Sequence, residues 1–432
     1  MSDSKAKGAC DGIIGRGRRQ GQQLLLDHFA KLDVAAKTGA PVCYTFVMAS
    51  GMEILESLGY IGMFPEVTSL QIAVRHKAME YITAAEDYGY SPDICGYVKC
   101  DVGLHLKERQ HPLGQIPKPT LVLAPNLCNT YIKWAETWER MYGIPIFVID
   151  YPGMRGCNWR RNPGEDDFER DRRYVQHQLE EFAELAARLI GRRFSLDKLA
   201  EVEDRVNRMA VSCYQLMHLN KNRPAPVNCM ADGLTYQGMS NLLRGTDTGV
   251  QYFAALVEEM TEKIRLKIGA VPNEKFRLVN VGGLCWPTLQ RWIELFTKWN
   301  ATFVYAEYNA FAGGGFDKGL RYDTSRPMES LAEQLLLTAQ RSFSNMFFSH
   351  DEMADRAEEF LADGITYQAI KSCRTISSQL ADSRRHVTEV RGIPALALEM
   401  DVVDPRVWSE AQMRNRVDAF FESLAARKAA LV

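Results

Sequence analysis

The sequence lacks both a long apolar run and a strong excess of charge of either sign. Its 52 basic and 54 acidic residues give a formal net charge of -2. A balanced charge gives no global attraction for nucleic acid or for an anionic membrane, so we expect neither as a partner. No apolar stretch reaches membrane-spanning length, and the N-terminus MSDSKAKGACDGIIGRGRRQ has no signal-peptide core. We therefore expect a cytoplasmic protein.

Several motifs of common enzyme classes are also missing. There is no Walker A sequence, so any ATP hydrolysis that the system needs must occur on another polypeptide. The eight histidines include no HExxH motif, which disfavours a zinc hydrolase. VGGLCW at 281–286 lacks the spacing of a dinucleotide loop, and FAGGGFDKG at 311–319 lacks the ending of a phosphate loop. We interpret the second segment as a loop near a cleft.

Cysteine is plentiful, but no CxxC pair occurs. Structural disulfides are rare in the cytoplasm, so these cysteines are either small buried apolar residues or metal ligands. The ten positions are Cys10, Cys43, Cys95, Cys100, Cys128, Cys157, Cys213, Cys229, Cys285 and Cys373.

Short apolar runs predict the buried strands of a parallel sheet. They lie at 41–50, 119–126 and 144–152, where β-rich residues stand between turn residues. Between the last two runs, NTYIKWAETWERMYG carries apolar side chains at helical spacing and ends at Gly143. A strand, a helix and a strand in this order predict a βαβ unit.

The same strand pattern returns in the last third of the chain, after a long helical stretch. At 432 residues, the chain exceeds the size that one hydrophobic core usually serves. We predict an α/β fold with two Rossmann-like parallel-sheet lobes and a helical connecting layer. The later strand runs are 276–283, 301–308, 364–372 and 393–401. The predicted domains are an N-terminal helical arm (1–40), a first α/β lobe (41–164), a helical connecting region (165–270) and a second α/β lobe (271–432).

Cysteines at the ends of predicted strands are candidate ligands, because ligands gather at the carboxyl ends of parallel strands. Cys128 and Cys373 each follow a strand and begin a helix, whose dipole should lower the thiol pKa. The helix that begins at Cys373 is predicted to run to Val390. In SPDICGYVKCDVG, either Cys95 or Cys100 could be a third ligand, and spacing does not choose between them. Three thiolates so far apart in sequence could meet only across the cleft between the lobes. If they bound iron, a fourth coordination position would be left open for a ligand other than cysteine or for substrate.

Four segments carry a resemblance to a known family. PDICGYVKCDVG, NLCNTYIKW, GITYQAIKSC and EMDVVDPR resemble the 2-hydroxyacyl-CoA dehydratase D-component family. That family includes the active-site subunits of ATP-dependent benzoyl-CoA reductase, and the motifs are most similar to its B-type subunits. The resemblance extends from about Thr45 to Phe421.

The resemblance also implies which residues form the site. It implies a [4Fe-4S] cluster bound by Cys95, Cys128 and Cys373, with Cys100 as a bystander. Glu53, in MASGMEILESLGY, corresponds to a glutamate near the substrate pocket of the dehydratases. The alternative for this residue is an ordinary first-turn helix glutamate that the helix dipole favours.

The implied function is that of an iron-sulfur active-site subunit of class I benzoyl-CoA reductase. Such an enzyme uses low-potential electrons to convert benzoyl-CoA to cyclohexadiene-carbonyl-CoA in anaerobic aromatic degradation. The implied partners are a homologous second large subunit, ATP-hydrolysing iron-sulfur electron-activating subunits, ferredoxin upstream and the acyl-CoA substrate.

Two alternatives stay open. One is a subunit of a 2-hydroxyacyl-CoA dehydratase that acts through a ketyl radical, and the other is a cluster-free scaffold subunit. After IKSC, the segment RTISSQLADSRRH departs from the more Ser/Asn-rich sequence of similar proteins. This departure leaves the acyl group open.

Overall fold

A computed structural model describes residues 13–47, 51–153, 165–342 and 349–430. Cys10 and Cys157 lie outside these ranges, as does the beginning of the predicted N-terminal arm. No helix in the described ranges combines the length and the apolar composition needed to cross a membrane.

The first part of the chain builds a parallel sheet of four strands. The strands are β1 (Val42–Thr45), β2 (Ile61–Met63), β5 (Leu121–Pro125) and β6 (Ile146–Ile149), and β3 (Gln110–His111) and β4 (Gly114–Gln115) form a separate antiparallel pair. The sheet order is β2-β1-β5-β6. The helices are α1 (Arg16–Thr38), α2 (Met52–Leu58), α3 (Pro65–Ala73), α4 (Ala78–Tyr88), α5 (Gly96–Leu106) and α6 (Asn129–Tyr142).

The middle of the chain, residues 165–270, is described throughout and contains helices without a strand. The helices are α7 (Glu165–Leu189), α8 (Leu196–His218), α9 (Gly233–Gln237), α10 (Met239–Leu242) and α11 (Asp247–Arg265), with a 3-10 turn at Leu219–Lys221. The side chain of Ser195 caps α8, and that of Thr246 caps α11.

The last part of the chain builds a second parallel sheet of four strands. These are β7 (Phe276–Val281), β8 (Ala301–Ala306), β9 (Gly364–Ile370) and β10 (Ala395–Met400), in the order β10-β9-β7-β8. The helices are α12 (Leu289–Thr297), α13 (Glu307–Ala312), α14 (Pro327–Ser342), α15 (Ser349–Glu359), α16 (Arg374–Ser377), α17 (Leu380–Arg385) and α18 (Glu410–Ala430), with 3-10 turns at Trp286–Thr288, Phe316–Lys318 and Pro405–Val407 and a π-helical turn at His386–Val390.

The α/β fold class predicted from the sequence is confirmed. Every residue of β1, β5, β7 and β8 is buried, which explains why these strands read as continuous apolar runs. All seven predicted strands form. The strands β2, β3 and β4 were not predicted because two or three residues carry no periodic signal. The domain boundaries remain a proposal.

One predicted helix differs from the structure. The sequence predicted a continuous helix from Cys373 to Val390, but the chain forms α16, α17 and the π-helical turn instead. The hydroxyl of Ser377 donates to the carbonyl of Ile370 at 2.8 Å, and that of Ser378 donates to the carbonyl of Arg374. Such side-chain bonds compete with the helix ladder, so the helix is interrupted there.

Candidate functional site

A cavity of about 120 Å³ lies beside the carboxyl ends of strands from both sheets. This is the position that the parallel-sheet rule predicts for a ligand site. Each sheet contributes residues that lie one to three positions after the ends of its strands. From the first sheet come Val47 and Cys128, and from the second come Gly282, Glu307, Cys373 and Val402.

Three cysteines line this cavity, and each one precedes a helix. Cys95 is the N-cap of α5, Cys128 is the N-cap of α6, and Cys373 is the N-cap of α16. All three are partly exposed. The other described cysteines, Cys43, Cys100, Cys213, Cys229 and Cys285, are buried. The structure therefore brings the three cysteines of the sequence prediction together and leaves Cys100 in the core.

Burial raises the pKa of two of these thiols, those of Cys95 and Cys373. It raises the pKa of Cys95 well above the ordinary value, and the nearby thiols of Cys373 and Cys128 raise it further. Burial also raises the pKa of Cys373 to about 11, again with a contribution from Cys128. The prediction that the helix dipole lowers the thiol pKa is wrong for Cys373, because excluding water from a thiolate outweighs its bonds to backbone N–H groups.

The donor set fits an iron-sulfur cluster. Among the residues that the structure describes, no three His, Cys, Asp or Glu side chains are grouped closely enough to hold a single metal ion. A cluster makes a different demand, because its cysteine thiolates bind separate iron atoms. Three partly exposed thiols around one cavity meet that demand.

Hydrogen bonds connect the loops that carry Cys95 and Cys373. The N–H of Gly96 donates to the Ser372 hydroxyl at 3.1 Å, and the N–H of Ser372 donates to the Asp401 carboxylate at 3.1 Å. A Cβ atom at position 96 would lie 2.6 Å from Asp401 Oδ1, so a larger residue would have to displace Asp401. The motifs PDICG, IKSC and EMDVVDPR therefore meet in one hydrogen-bonded group.

A second network joins the helices that follow Cys95 and Cys128. Asp101 on α5 accepts hydrogen bonds from the indole N–H groups of Trp134, at 2.7 Å, and Trp138, at 3.0 Å, both on α6. All three side chains are buried. This charge-assisted pairing fixes the spacing of the two helices and hence of the cysteines before them.

Glu66, which is buried, and Glu307, which is half-buried, also line the cavity, and the sequence predicted neither. Burial raises the pKa of Glu66 to about 7, although hydrogen bonds from Tyr131 and from the N–H of Val47 lower it. Burial likewise raises the pKa of Glu307 to about 7, although a hydrogen bond from the N–H of Gly282 lowers it. Glu307 follows β8 directly, so the strand-end rule used for the cysteines could have identified it. Glu66 lies in the first turn of α3, where acidic residues are common.

Aromatic side chains form much of the remaining wall. The hydroxyl groups of Tyr97 and Tyr308 lie 3.1 Å apart, and the indole N–H of Trp286 donates to Tyr97 at 2.5 Å. Tyr131, on the helix predicted between the second and third strand runs, packs on Phe46 and donates its hydroxyl hydrogen bond to Glu66.

The segment FAGGGFDKG contributes an ion-paired group to the cavity wall. Lys318 lies 3.1 Å from the carboxylate of Asp317 and 2.8 Å from that of Glu352. Burial lowers the pKa of Lys318, but the two carboxylates raise it above the ordinary value. The predicted position of this loop near a cleft agrees with the structure.

Glu53 does not line the cavity. It lies in the first turn of α2, where Glu53 Oε1 accepts hydrogen bonds from Arg244 at 2.6 Å and from the Tyr322 hydroxyl at 2.7 Å. We call these three buried residues the arginine cluster. The structure therefore separates Glu53 from the cysteines, and its role beside a substrate remains a prediction.

Comparison with known proteins identifies the family. The model of the 2-hydroxyglutaryl-CoA dehydratase D-component family matches residues 47–424. The chain belongs to this family, as the four motifs predicted.

Similar proteins include subunits of a reductase and of dehydratases. The chain is 28% identical to the B-type subunit of benzoyl-CoA reductase from Thauera aromatica, over 93% of each chain. It is 27% identical to lactoyl-CoA dehydratase subunit alpha of Anaerotignum propionicum, over 95% of this chain and 97% of that protein. It is 26% identical to the (R)-2-hydroxyisocaproyl-CoA dehydratase alpha subunit of Clostridioides difficile, over 94% and 95%.

Proposed function

We propose that this chain is the iron-sulfur active-site subunit of an ATP-dependent benzoyl-CoA reductase, with Cys95, Cys128 and Cys373 binding a [4Fe-4S] cluster. The observation that carries the proposal is the convergence of these three partly exposed thiols on one cavity. The likeness to the B-type subunit of benzoyl-CoA reductase supports the aromatic substrate.

When bound, the cluster would supply low-potential electrons to the acyl-CoA thioester. The chain itself binds and orients the acyl group and excludes water from it. The rings of Tyr97, Tyr131, Trp134 and Tyr308 line the cavity and offer faces and edges on which an aryl group can pack. Their burial also keeps the site poor in water, so charge on a reduced thioester is not quenched early.

The proposal includes partner proteins. The sequence has no Walker A motif, so ATP-hydrolysing iron-sulfur subunits would energise the electrons, which ferredoxin would supply. A homologous second large subunit would complete the complex. The relatives are named as subunits, which supports a heteromer.

A second candidate function is the dehydration of a 2-hydroxyacyl-CoA, and the two dehydratase relatives support it, at 27% and 26% identity. Electron consumption separates the two reactions. Ring reduction uses electrons in proportion to product, whereas dehydration returns each electron after turnover. The complex should therefore be assayed without oxygen on benzoyl-CoA and on 2-hydroxyacyl-CoA while the reductant is measured.

The cluster is tested by Cys128→Ser in the complex, with Cys100→Ser as the matched control in the core. We expect Cys128→Ser to lose iron, sulfide and visible absorption together with activity, and Cys100→Ser to keep them. Full activity of Cys128→Ser with unchanged iron would overturn the proposal and favour the cluster-free scaffold.

A further inference from the structure

A second and larger cavity adjoins the cysteine cavity. Its volume is about 580 Å³, within the range of small-molecule sites, and its walls include side chains of α1, α3, α10 and the Trp286–Thr288 turn. Leu26 and Arg18 also line it; Leu26 is 43% exposed, and the Arg18 side chain is 52% exposed. The larger cavity therefore reaches the surface.

Three residues line both cavities. They are Val47, Glu66 and Tyr308. Of these, only Glu66 carries a group that readily exchanges a proton near neutral pH, because a backbone amide and a buried phenol do not. Glu66 thus stands between the site that would hold the reacting acyl group and a passage to solvent.

We propose that Glu66 transfers a proton to the acyl group bound in the cysteine cavity and is reprotonated through the larger cavity. The inference rests on the proposed function, since it needs an acyl thioester at the cysteines. It assigns a chemical role to a residue outside the family motifs described above.

The contacts of Glu66 keep both of its protonation states accessible. Its side chain is 5% exposed. Oε1 accepts a hydrogen bond from the Tyr131 hydroxyl at 2.5 Å, and Oε2 accepts one from the N–H of Val47 at 3.2 Å. Both bonds favour the carboxylate, whereas burial favours the acid, and the resulting pKa of about 7 suits a general acid.

The titratable groups that interact with Glu66 include three tyrosines and Asp101. Burial raises the pKa of its tyrosine neighbours, Tyr97, Tyr131 and Tyr308, so these phenols stay protonated. Asp101, which raises the pKa of Glu66, is held by the indole donors of Trp134 and Trp138.

Two arginines line the larger cavity and are held by other partners. Arg75 donates to the side-chain oxygen of Gln71 at 2.6 Å, and Arg18 lies 3.8 Å from Asp232. Neither is an ion-pair partner of Glu66 within the described ranges, so Glu66 can lose and regain its proton without breaking a salt bridge.

Glu307 is the natural competitor for this role. Its pKa is also raised to about 7 by burial, and it lines the cysteine cavity. However, Glu307 does not line the larger cavity, so it lacks the second passage that would restore its proton. This difference favours Glu66.

The proton balance of the step is simple. Reduction of the aromatic ring adds two electrons, from the electron-activating partner, and two protons. Glu66 gives one of these protons to the reduced ring and becomes a carboxylate. Protons from the solvent reach this carboxylate through water in the larger cavity and restore the acid, which then gives the second proton to the ring.

The test uses Glu66→Gln in the complete complex, with Glu203→Gln as the matched control. Glu203 is another buried glutamate, whose pKa burial raises to about 9, and it lines neither cavity. We expect Glu66→Gln to keep its iron and lose about 100-fold in turnover. Glu203→Gln should keep both. Infrared titration should also show a protonated carboxyl band that disappears with Glu66→Gln and titrates near neutral pH in the wild type.

A second variant, Tyr131→Phe, tests the direction of the pH effect. It removes a hydrogen bond that lowers the pKa of Glu66, so that pKa should rise. If the protonated acid is the active form, the fall of activity at high pH should move to higher pH. A purely structural role for Tyr131 would lower activity without moving the profile.

The outcomes separate the two proposals. An active wild-type complex in which Glu66→Gln keeps its turnover and pH profile overturns this inference alone. Loss of iron from Glu66→Gln, or an unchanged infrared band, also overturns it. A wild-type complex that acts on no acyl-CoA overturns the proposed function and this inference with it.

Discussion

The arginine cluster and the cysteine cavity differ in the pairing of their carboxyl groups, because two of those in the cavity have no cation beside them among the residues that the structure describes. In the arginine cluster, Arg244 and Tyr322 both donate to Oε1 of Glu53, at 2.6 and 2.7 Å. In the cavity, neither Glu66 nor Glu307 forms an ion pair within the described part of the chain.

Carboxyl groups with a cation stabilise the fold, whereas those without one can exchange a proton near neutral pH. A paired buried charge must stay paired, because removing one partner leaves the other uncompensated. An unpaired buried carboxyl instead keeps its proton until near neutral pH, which is a property of functional sites. Glu203 is a further buried carboxyl group beside the arginine cluster. Burial and the nearby Glu53 raise its pKa to about 9.

The largest effect should come from breaking the arginine cluster. Arg244→Met leaves the carboxylate of Glu53 buried without its cation, so we expect a loss of about 3–5 kcal/mol in the free energy of unfolding. Urea unfolding monitored by circular dichroism measures this, and the double variant Glu53→Gln/Arg244→Met should recover part of it. Iron bound per folded protein should stay constant. If Glu53→Gln alone stopped turnover in a stable protein, Glu53 would belong to the site instead.

The second effect concerns pH and the cavity. The pKa of Glu66 is raised from 4.5 to about 7, so the folded state binds more protons than the unfolded state between these values. The stability that Glu66 contributes is therefore fully present below pH 4.5 and is lost as the pH rises to about 7. The loss is about 1.4 kcal/mol for each pH unit between these values. Glu66→Gln should flatten this dependence. The free energy of unfolding of the wild type should therefore fall relative to that of Glu66→Gln as the pH rises in this window. A rise would contradict the assignment.

The third effect sharpens the link between the two cysteine-capped helices. Asp101→Ala leaves the indole N–H groups of Trp134 and Trp138 without their acceptor, which should cost about 2 kcal/mol. Tryptophan fluorescence and thermal unfolding measure the change. We also expect less iron per folded chain, because α5 and α6 carry Cys95 and Cys128 at their N-termini. Full iron content would show that the helices hold the cysteines without this pairing.

The smallest effect should come from Ser372→Ala. This change removes one acceptor, for the N–H of Gly96, and should cost about 1 kcal/mol or less. Its consequence should appear as faster loss of iron to a chelator, because Ser372 ties the Cys95 and Cys373 loops together. Ser378→Ala, on an exposed part of the same segment, is the control. Equal rates for the two variants would argue against a role of this tie.

Much of the fold could be predicted from short segments of the sequence. The buried runs of β1, β5, β7 and β8 gave continuous apolar signals, and Gly143 ended α6 in the left-handed conformation, as predicted. The strand-end rule selected Cys128 and Cys373 because each lies between a strand and a helix.

Spacing could not separate Cys95 from Cys100, since both lie in one short motif. The family resemblance selected Cys95, and the structure explains the difference: Cys95 caps α5 beside the cavity, whereas Cys100 points into the core. Likewise, no local pattern separates Glu53 from Glu66, because both are acidic residues in the first turn of a helix.

The sequence by itself determined seven of the strands, the class of fold and the motifs that identify the family, because these follow from periodicity and residue type within short segments. Only the tertiary structure decided which distant side chains share a cavity and which carboxyl groups lack a cation. The physical reason is that proximity and burial depend on how the two sheets and the helices between them pack. The same packing sets the pKa of Glu66, through contacts with residues as distant in sequence as Tyr131.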